Sequence, residues 1–146
     1  MRTFHDEDEI ERIGRGLEAR TLPKPEWTHA AHFAAAFWLL DRGLEVATRE
    51  IPRLIRAYNE ATGVANTDTG GYHETITLAS LGAAHAWRAA RPHAAVHESL
   101  NALLASDYGR SDWPLVYWSR ALLFSAAARR RWVDPDLKPL PFGPAR

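Results

Sequence analysis

The chain of 146 residues contains no cysteine, so disulfides, thiolate metal ligands and cysteine nucleophiles are all excluded. Its formal net charge is zero, so no overall field draws it towards nucleic acid or an anionic membrane. The most apolar run, residues 34–40, is far shorter than the roughly 20 residues that span a bilayer. The N-terminus turns acidic at residues 6–9, unlike a signal peptide. We expect a cytoplasmic protein with no nucleic-acid or membrane partner.

Several sequence signatures are also missing. There is no glycine-rich dinucleotide or Walker loop and no Gly-x-Ser-x-Gly elbow. No segment alternates apolar and polar residues long enough to predict a half-buried strand. The hydrophobic fraction of 46% and the six tryptophans nevertheless predict a packed globule, which at this length is one domain covering residues 1–146.

Abundant alanine and apolar residues at spacings of three and four predict an all-α fold. We expect a compact single-domain bundle of four main helices plus shorter ones. Residues 1–22 would form an N-terminal helix and linker, and residues 132–146 an extended tail. Pro52 predicts either a kink or the start of a new helix. The expected helices cover residues 6–19, 25–42, 44–60, 72–90, 93–106 and 115–131, the second being the central one.

The first of two short histidine motifs, residues 27–32, opens the second predicted helix. His29 and His32 stand three apart, which places their side chains on one helix face with Cβ atoms about 5–6 Å apart. Imidazoles at that spacing can converge on one metal ion, or they can be structural histidines satisfied by backbone carbonyls. Trp27 is expected to pack as a hydrophobic staple against the following turn.

The second motif, residues 72–75, follows a loop rich in glycine, asparagine and threonine, of a kind that places backbone groups near a ligand. His73 and Glu74 lie at or near the start of the fourth predicted helix. Consecutive helical side chains point about 100° apart, so we expect one ligand and one proton-transfer group. An acidic residue in the first turn is also favoured by the helix dipole alone.

Together the motifs predict a metal-dependent enzyme acting on a small molecule. His29, His32 and His73 would bind a divalent ion, with zinc favoured and iron, nickel or manganese as alternatives. The ion would lower the pKa of bound water to about 7. Glu74 would be a fourth ligand or the general base, and Tyr72 would orient the substrate.

Two other hypotheses stay open. In the first, His73 and Glu74 perform acid–base chemistry without metal, and Arg110 or Arg120 holds an anionic substrate. In the second, the protein is a non-enzymatic ligand-binding or interaction module with structural histidines. Tyr117 is a further candidate for substrate contact. Trp113 and Trp118 suit either a homodimer face or the core.

The chain also resembles an uncharacterised bacterial family of small all-helical proteins. The similarity covers residues 26–140 and is carried by an aromatic-Thr-His-x-x-His opening, a Tyr-His-Glu-Thr-Ile segment and a C-terminal stretch ending in Pro-Asp-Leu. The chain departs from that pattern at Pro52 and Trp118. The resemblance implies one domain and a common site, and it implies no particular reaction.

Overall fold

The computed structural model describes residues 2–143, and the regular structure in this range is entirely helical. The all-α prediction is therefore confirmed. The first five helices have ten residues or more, whereas the last two are single turns. The helices are α1 (Glu7–Ala19), α2 (His29–Leu40), α3 (Leu44–Ala61), α4 (Glu74–Ala89), α5 (Val96–Ala105), α6 (Arg120–Leu123) and α7 (Ala126–Arg130).

Helix α2 is the central element, as its apolar composition predicts. It contacts α1, α3, α4 and α5, and Phe33, Phe37 and Leu39 are fully buried among them. Burial of each such side chain contributes about 1.5–3 kcal/mol. A helix that is apolar on every face is stable only when it is enclosed, so α2 has to be surrounded.

The boundaries of α1 follow from local chemistry. Asp6 precedes the helix and its carboxylate accepts a hydrogen bond from the Glu9 amide at 3.0 Å, which satisfies one free amide of the first turn. On the inner face, Gly14 allows α1 to approach Trp38 of α2. A Cβ at this position would lie 2.2 Å from the indole ring. Glycine is therefore required here by close packing.

Helix α3 runs continuously through Pro52, so a new helix does not begin there. Pro52 is only half-buried, and its neighbours Ile51 and Leu54 face the core.

The prediction of one long helix over residues 115–131 is wrong. A 3-10 turn (Trp113–Val116), α6 and α7 occupy this stretch instead. Two serines explain the breaks, because Ser119 accepts a hydrogen bond from the Leu122 amide and Ser125 accepts one from the Ala128 amide. Each serine is thus a helix N-cap and begins a new short helix.

The tail packs against these short helices. Asp136 accepts hydrogen bonds from the amide and the hydroxyl of Ser119, both at 2.7 Å. The Trp118 indole donates to the Val133 carbonyl at 3.0 Å. The described tail, residues 132–143, contains no helix, as predicted, and residues 144–146 lie outside the described part of the chain. Trp113 and Trp118 are 3% and 0% exposed, so they belong to the core and provide no dimer face.

No helix within residues 2–143 is both long enough and apolar enough to cross a membrane.

Candidate functional site

His73 is the N-cap of α4, and both of its ring nitrogens are engaged. Nε2 donates to the Leu123 carbonyl at 2.7 Å, and Nδ1 accepts from the Ile76 amide at 3.2 Å. These two bonds together require the neutral tautomer with its proton on Nε2. The side chain is 7% exposed, and this burial lowers the pKa of His73. A metal ion could bind His73 only after one of these hydrogen bonds is broken.

Thr75 performs a similar structural role two residues later. Its side chain is fully buried, and its hydroxyl lies 2.7 Å from the Ala128 carbonyl. The same oxygen accepts a hydrogen bond from the Val133 amide. His73 and Thr75 therefore attach the start of α4 to α6, α7 and the tail. This role of Thr75 has no signal in the sequence, because its partners are backbone groups more than 50 residues away.

Tyr72 and Glu74 form a hydrogen-bonded pair at the same helix start. The phenol donates to Glu74 Oε1 at 2.5 Å, and the Arg56 guanidinium lies over the ring, 4.2 Å from its centre. Burial and the neighbouring carboxylate raise the pKa of Tyr72, so the phenol keeps its proton at neutral pH. The two residues predicted to be catalytic thus lie together, with the phenol committed to the carboxylate.

The first motif is arranged differently. Thr28 caps α2 by accepting from the Ala31 amide. His29 Nε2 donates to the Tyr108 carbonyl at 2.8 Å, and His32 Nδ1 donates to the Thr28 carbonyl at 2.7 Å. In each ring the second nitrogen has no partner within residues 2–143 and keeps its lone pair. The histidines of the first motif therefore each keep one ring nitrogen that can bind a ligand. Both ring nitrogens of His73 in the second motif are bonded to the backbone.

The ring of His32 stacks on Trp27, with centres 3.8 Å apart. The expected staple is confirmed, because these two residues flank the first turn of α2. Loss of hydration is the main cause that lowers the pKa of His32, and the neighbouring His29 acts in the same direction. Since the residue retains exposed surface, solvent limits the size of this shift. His32 is neutral at pH 7 with Nε2 available.

His32, Tyr72 and His73 line one cleft of about 280 Å³ between α2, α3 and the start of α4. None of its lining residues carries a full charge at pH 7. The other lining residues are Trp27, Ile55, Asn59, Val64, Gly71, Ile76 and Thr77.

His29 does not share this cleft. It lines a separate hollow with Thr28, Asp107 and Arg110. Among residues 2–143, no group of three or more histidine, aspartate or glutamate side chains is close enough to hold a metal ion. The predicted convergence of His29, His32 and His73 is therefore not seen. The physical reason is that His29 is turned towards Tyr108 while His73 is held by backbone groups.

The loop before α4 is fixed by one side chain that sequence analysis did not single out. Asn66 Oδ1 accepts hydrogen bonds from the Asn59 side chain and from the Tyr72 amide, at 3.0 and 2.9 Å. Gly71 has φ of +77°, and a Cβ there would lie 2.4 Å from the Ala65 carbonyl oxygen. The loop thereby places Tyr72 in the cleft and holds the side chain of Asn59, which α3 brings there. The sequence signal for this loop is its asparagine and glycine content.

The remaining candidates for substrate contact lie elsewhere. Arg110 and Tyr117 line a hollow of about 510 Å³ with Tyr108 and Trp113. Arg110 pairs with Asp112 at 3.3 Å. Arg120 begins α6 and does not line that hollow, so the two arginines are not brought to one anion.

The chain matches no protein-family model, no curated protein and no solved structure.

Proposed function

We propose that the protein binds a small, uncharged, partly apolar molecule in the cleft that His32, Asn59 and Tyr72 line. The observation that carries this proposal is the free Nε2 lone pair of His32. The ring is held from behind by its Nδ1 hydrogen bond to the Thr28 carbonyl and from the side by Trp27. A bond of this kind at one nitrogen fixes the tautomer and directs the other nitrogen.

The side chains that line the cleft indicate which class of ligand it can bind. Among residues 2–143, no charged side chain lines the cleft, and Ile55, Val64 and Ile76 provide apolar surface. A ligand with a net charge would lose hydration there without gaining an ionic partner. The volume of about 280 Å³ suits a molecule of one ring or a comparable size. Its hydrogen-bond donor would face His32 Nε2.

Proton transfer is a second function that the same geometry supports. A neutral histidine with a directed lone pair can accept a proton from a bound molecule. His32 would take the role that sequence analysis gave to His73, because both nitrogens of His73 are engaged. Tyr72 and Glu74 would hold the cleft in shape, as their shared hydrogen bond indicates.

Ligand-observed NMR with a panel of small phenols and aromatic amides tests the binding proposal. We expect weak binders that compete with one another and that lose affinity in His32→Phe, which preserves an aromatic ring beside Trp27. His93→Phe is the matched control, because His93 is exposed and lines no part of this cleft. Binding that is equal in both variants, or absent for the whole panel, would contradict the proposal.

The metal-dependent enzyme remains a prediction that elemental analysis can test. Of the three predicted ligands, only His29 and His32 have a ring nitrogen without a partner within residues 2–143, so the relevant variants are His29→Ala and His32→Ala. About one equivalent of zinc, iron, nickel or manganese in tag-free wild type, lost in both variants, would support it. Unchanged metal content in both variants would contradict it.

A further inference from the structure

A second hollow of about 270 Å³ lies where α4 ends and α5 begins, away from the His32 cleft. It is bordered by residues of both helices, of the connection between them and by the last residue of α2. The lining residues are Leu40, His85, Arg88, Ala89, Arg91, Pro92, Ala94, Val96 and Ser99.

Ser99 is the unusual member of this set. The residue is 3% exposed, yet its hydroxyl has no hydrogen-bond partner within residues 2–143. Its backbone is well fixed, since its amide donates to the Ala95 carbonyl and its carbonyl accepts from the Trp87 indole at 3.0 Å. A buried hydroxyl without a partner is destabilising. Because Ser99 lines the hollow, a ligand bound there can supply the missing partner.

The charges around the hollow are positive. Arg91 stacks on Trp87, with its guanidinium carbon 3.6 Å from the ring centre, and uses one N–H on the Trp87 carbonyl. The other N–H groups of Arg91 have no partner among the described residues. Arg88 donates to the Phe37 carbonyl and to Asp41, so its charge is partly neutralised.

Among residues 2–143, no acidic residue lines the hollow. Glu98 on α5 and Glu7 on α1 are not among its lining residues. Glu98 is exposed, and Glu7 accepts from the amide and the ring of His97. Arg91 is therefore a cation without a carboxylate partner among the described residues, and it lines the same hollow as the buried hydroxyl of Ser99.

We propose that this hollow binds a phosphate group, either as the free ion or carried by a small molecule. The Ser99 hydroxyl and the Arg91 guanidinium donate to its oxygens, and Arg88, in the last turn of α4, adds positive charge to the same hollow. Arginine matches the geometry of phosphate oxygens through paired N–H donors. The hollow exceeds the size of one phosphate, which leaves room for a short organic group.

Isothermal titration with inorganic phosphate and with glycerol 3-phosphate tests this site. We expect Ser99→Ala and Arg91→Gln each to weaken binding by about tenfold or more, since charge-assisted hydrogen bonds are worth about 1.5–3 kcal/mol. Tighter binding of glycerol 3-phosphate than of phosphate would assign the ligand to the organic class, and the reverse order would assign it to the free ion.

Control variants distinguish binding of phosphate at this hollow from a general effect of added salt on the protein. Ser80→Ala and Arg49→Gln change the same residue types outside the hollow and should bind as the wild type does. Without ligand, Ser99→Ala should unfold at the same temperature as the wild type or higher, because the Ser99 hydroxyl has no hydrogen-bond partner within residues 2–143. Phosphate should no longer raise the unfolding temperature of this variant. The site is overturned if phosphate does not bind at millimolar concentration, or if it stabilises wild type, Ser99→Ala and Arg91→Gln equally.

Discussion

The starts of α2 and α4 carry the same residue type in similar positions, but they use it in opposite ways. At the start of α4, His73 has both nitrogens bonded to backbone groups and is buried. At the start of α2, His29 and His32 each use one nitrogen, and the other has no partner within residues 2–143. The histidine at the start of α4 is therefore structural, whereas those at the start of α2 keep a ring nitrogen that can bind a ligand.

The difference arises from what packs against each helix start. α6, α7 and the tail cover α4, so a polar side chain there must find partners among their carbonyls. The first turn of α2 is bordered by Trp27 and remains partly exposed at His32. In these two motifs, the histidines whose second nitrogen has no partner within residues 2–143 are therefore the better candidates for function.

Among the variants that test the difference between the two helix starts, we expect His73→Ala to have the largest effect on stability. The variant loses the α4 cap and leaves the Leu123 carbonyl without its donor, so we expect a loss of about 2–4 kcal/mol in the free energy of unfolding. Urea unfolding measures it, with His93→Ala as an exposed control expected to change by less than about 0.5 kcal/mol. A His73→Ala protein as stable as the control would break the comparison.

The pH dependence of stability gives a smaller effect. Because the pKa of His73 is lowered in the folded protein, the unfolded chain binds more protons below the ordinary histidine pKa near 6.5. The contribution of His73 is complete above that pH and is lost as the pH falls further. The pKa of His97 is raised by its hydrogen bond to Glu7, so His97 acts in the opposite direction.

Unfolding measured between pH 7.5 and 5 in wild type and in His73→Gln isolates this contribution. The wild type should lose more stability than the variant over this range, since glutamine does not titrate. If the free energy of unfolding fell equally with pH in both proteins, His73 would not be held in its neutral form.

The smallest expected effect on folding comes from His32→Phe. The stack on Trp27 is preserved and only an exposed hydrogen bond to Thr28 is lost, so the free energy of unfolding should change by less than about 1 kcal/mol. Urea unfolding beside His73→Ala provides the comparison. A loss as large as that of His73→Ala would make both histidines structural.

Much of the bundle could be predicted from the sequence because its signals are local. The apolar stripe of α1, the enclosed composition of α2 and the proline and glycine boundaries all lie within the elements they define. Their ends were placed within a few residues, as for α4, predicted over 72–90 and found at Glu74–Ala89. The Trp27 staple was predictable for the same reason.

The site could be predicted only in part. His73 was placed correctly at a helix start, but its partner, the Leu123 carbonyl, lies 50 residues away and belongs to a segment predicted as one long helix. That helix is broken by N-caps at Ser119 and Ser125, and Ser119 is also bonded to Asp136 of the tail. A backbone carbonyl has no signature in the sequence, so the fate of His73 could not be inferred from it.

Nitrogen-15 NMR of the histidine rings across pH 4–8 tests the central claim most directly. We predict that His73 keeps its proton on Nε2 and titrates below pH 6.5, whereas His32 carries its proton on Nδ1 and shifts at Nε2 when a cleft ligand is added. A His73 ring that titrates like a free histidine, or whose signals respond to added zinc while those of His32 do not, would contradict the account.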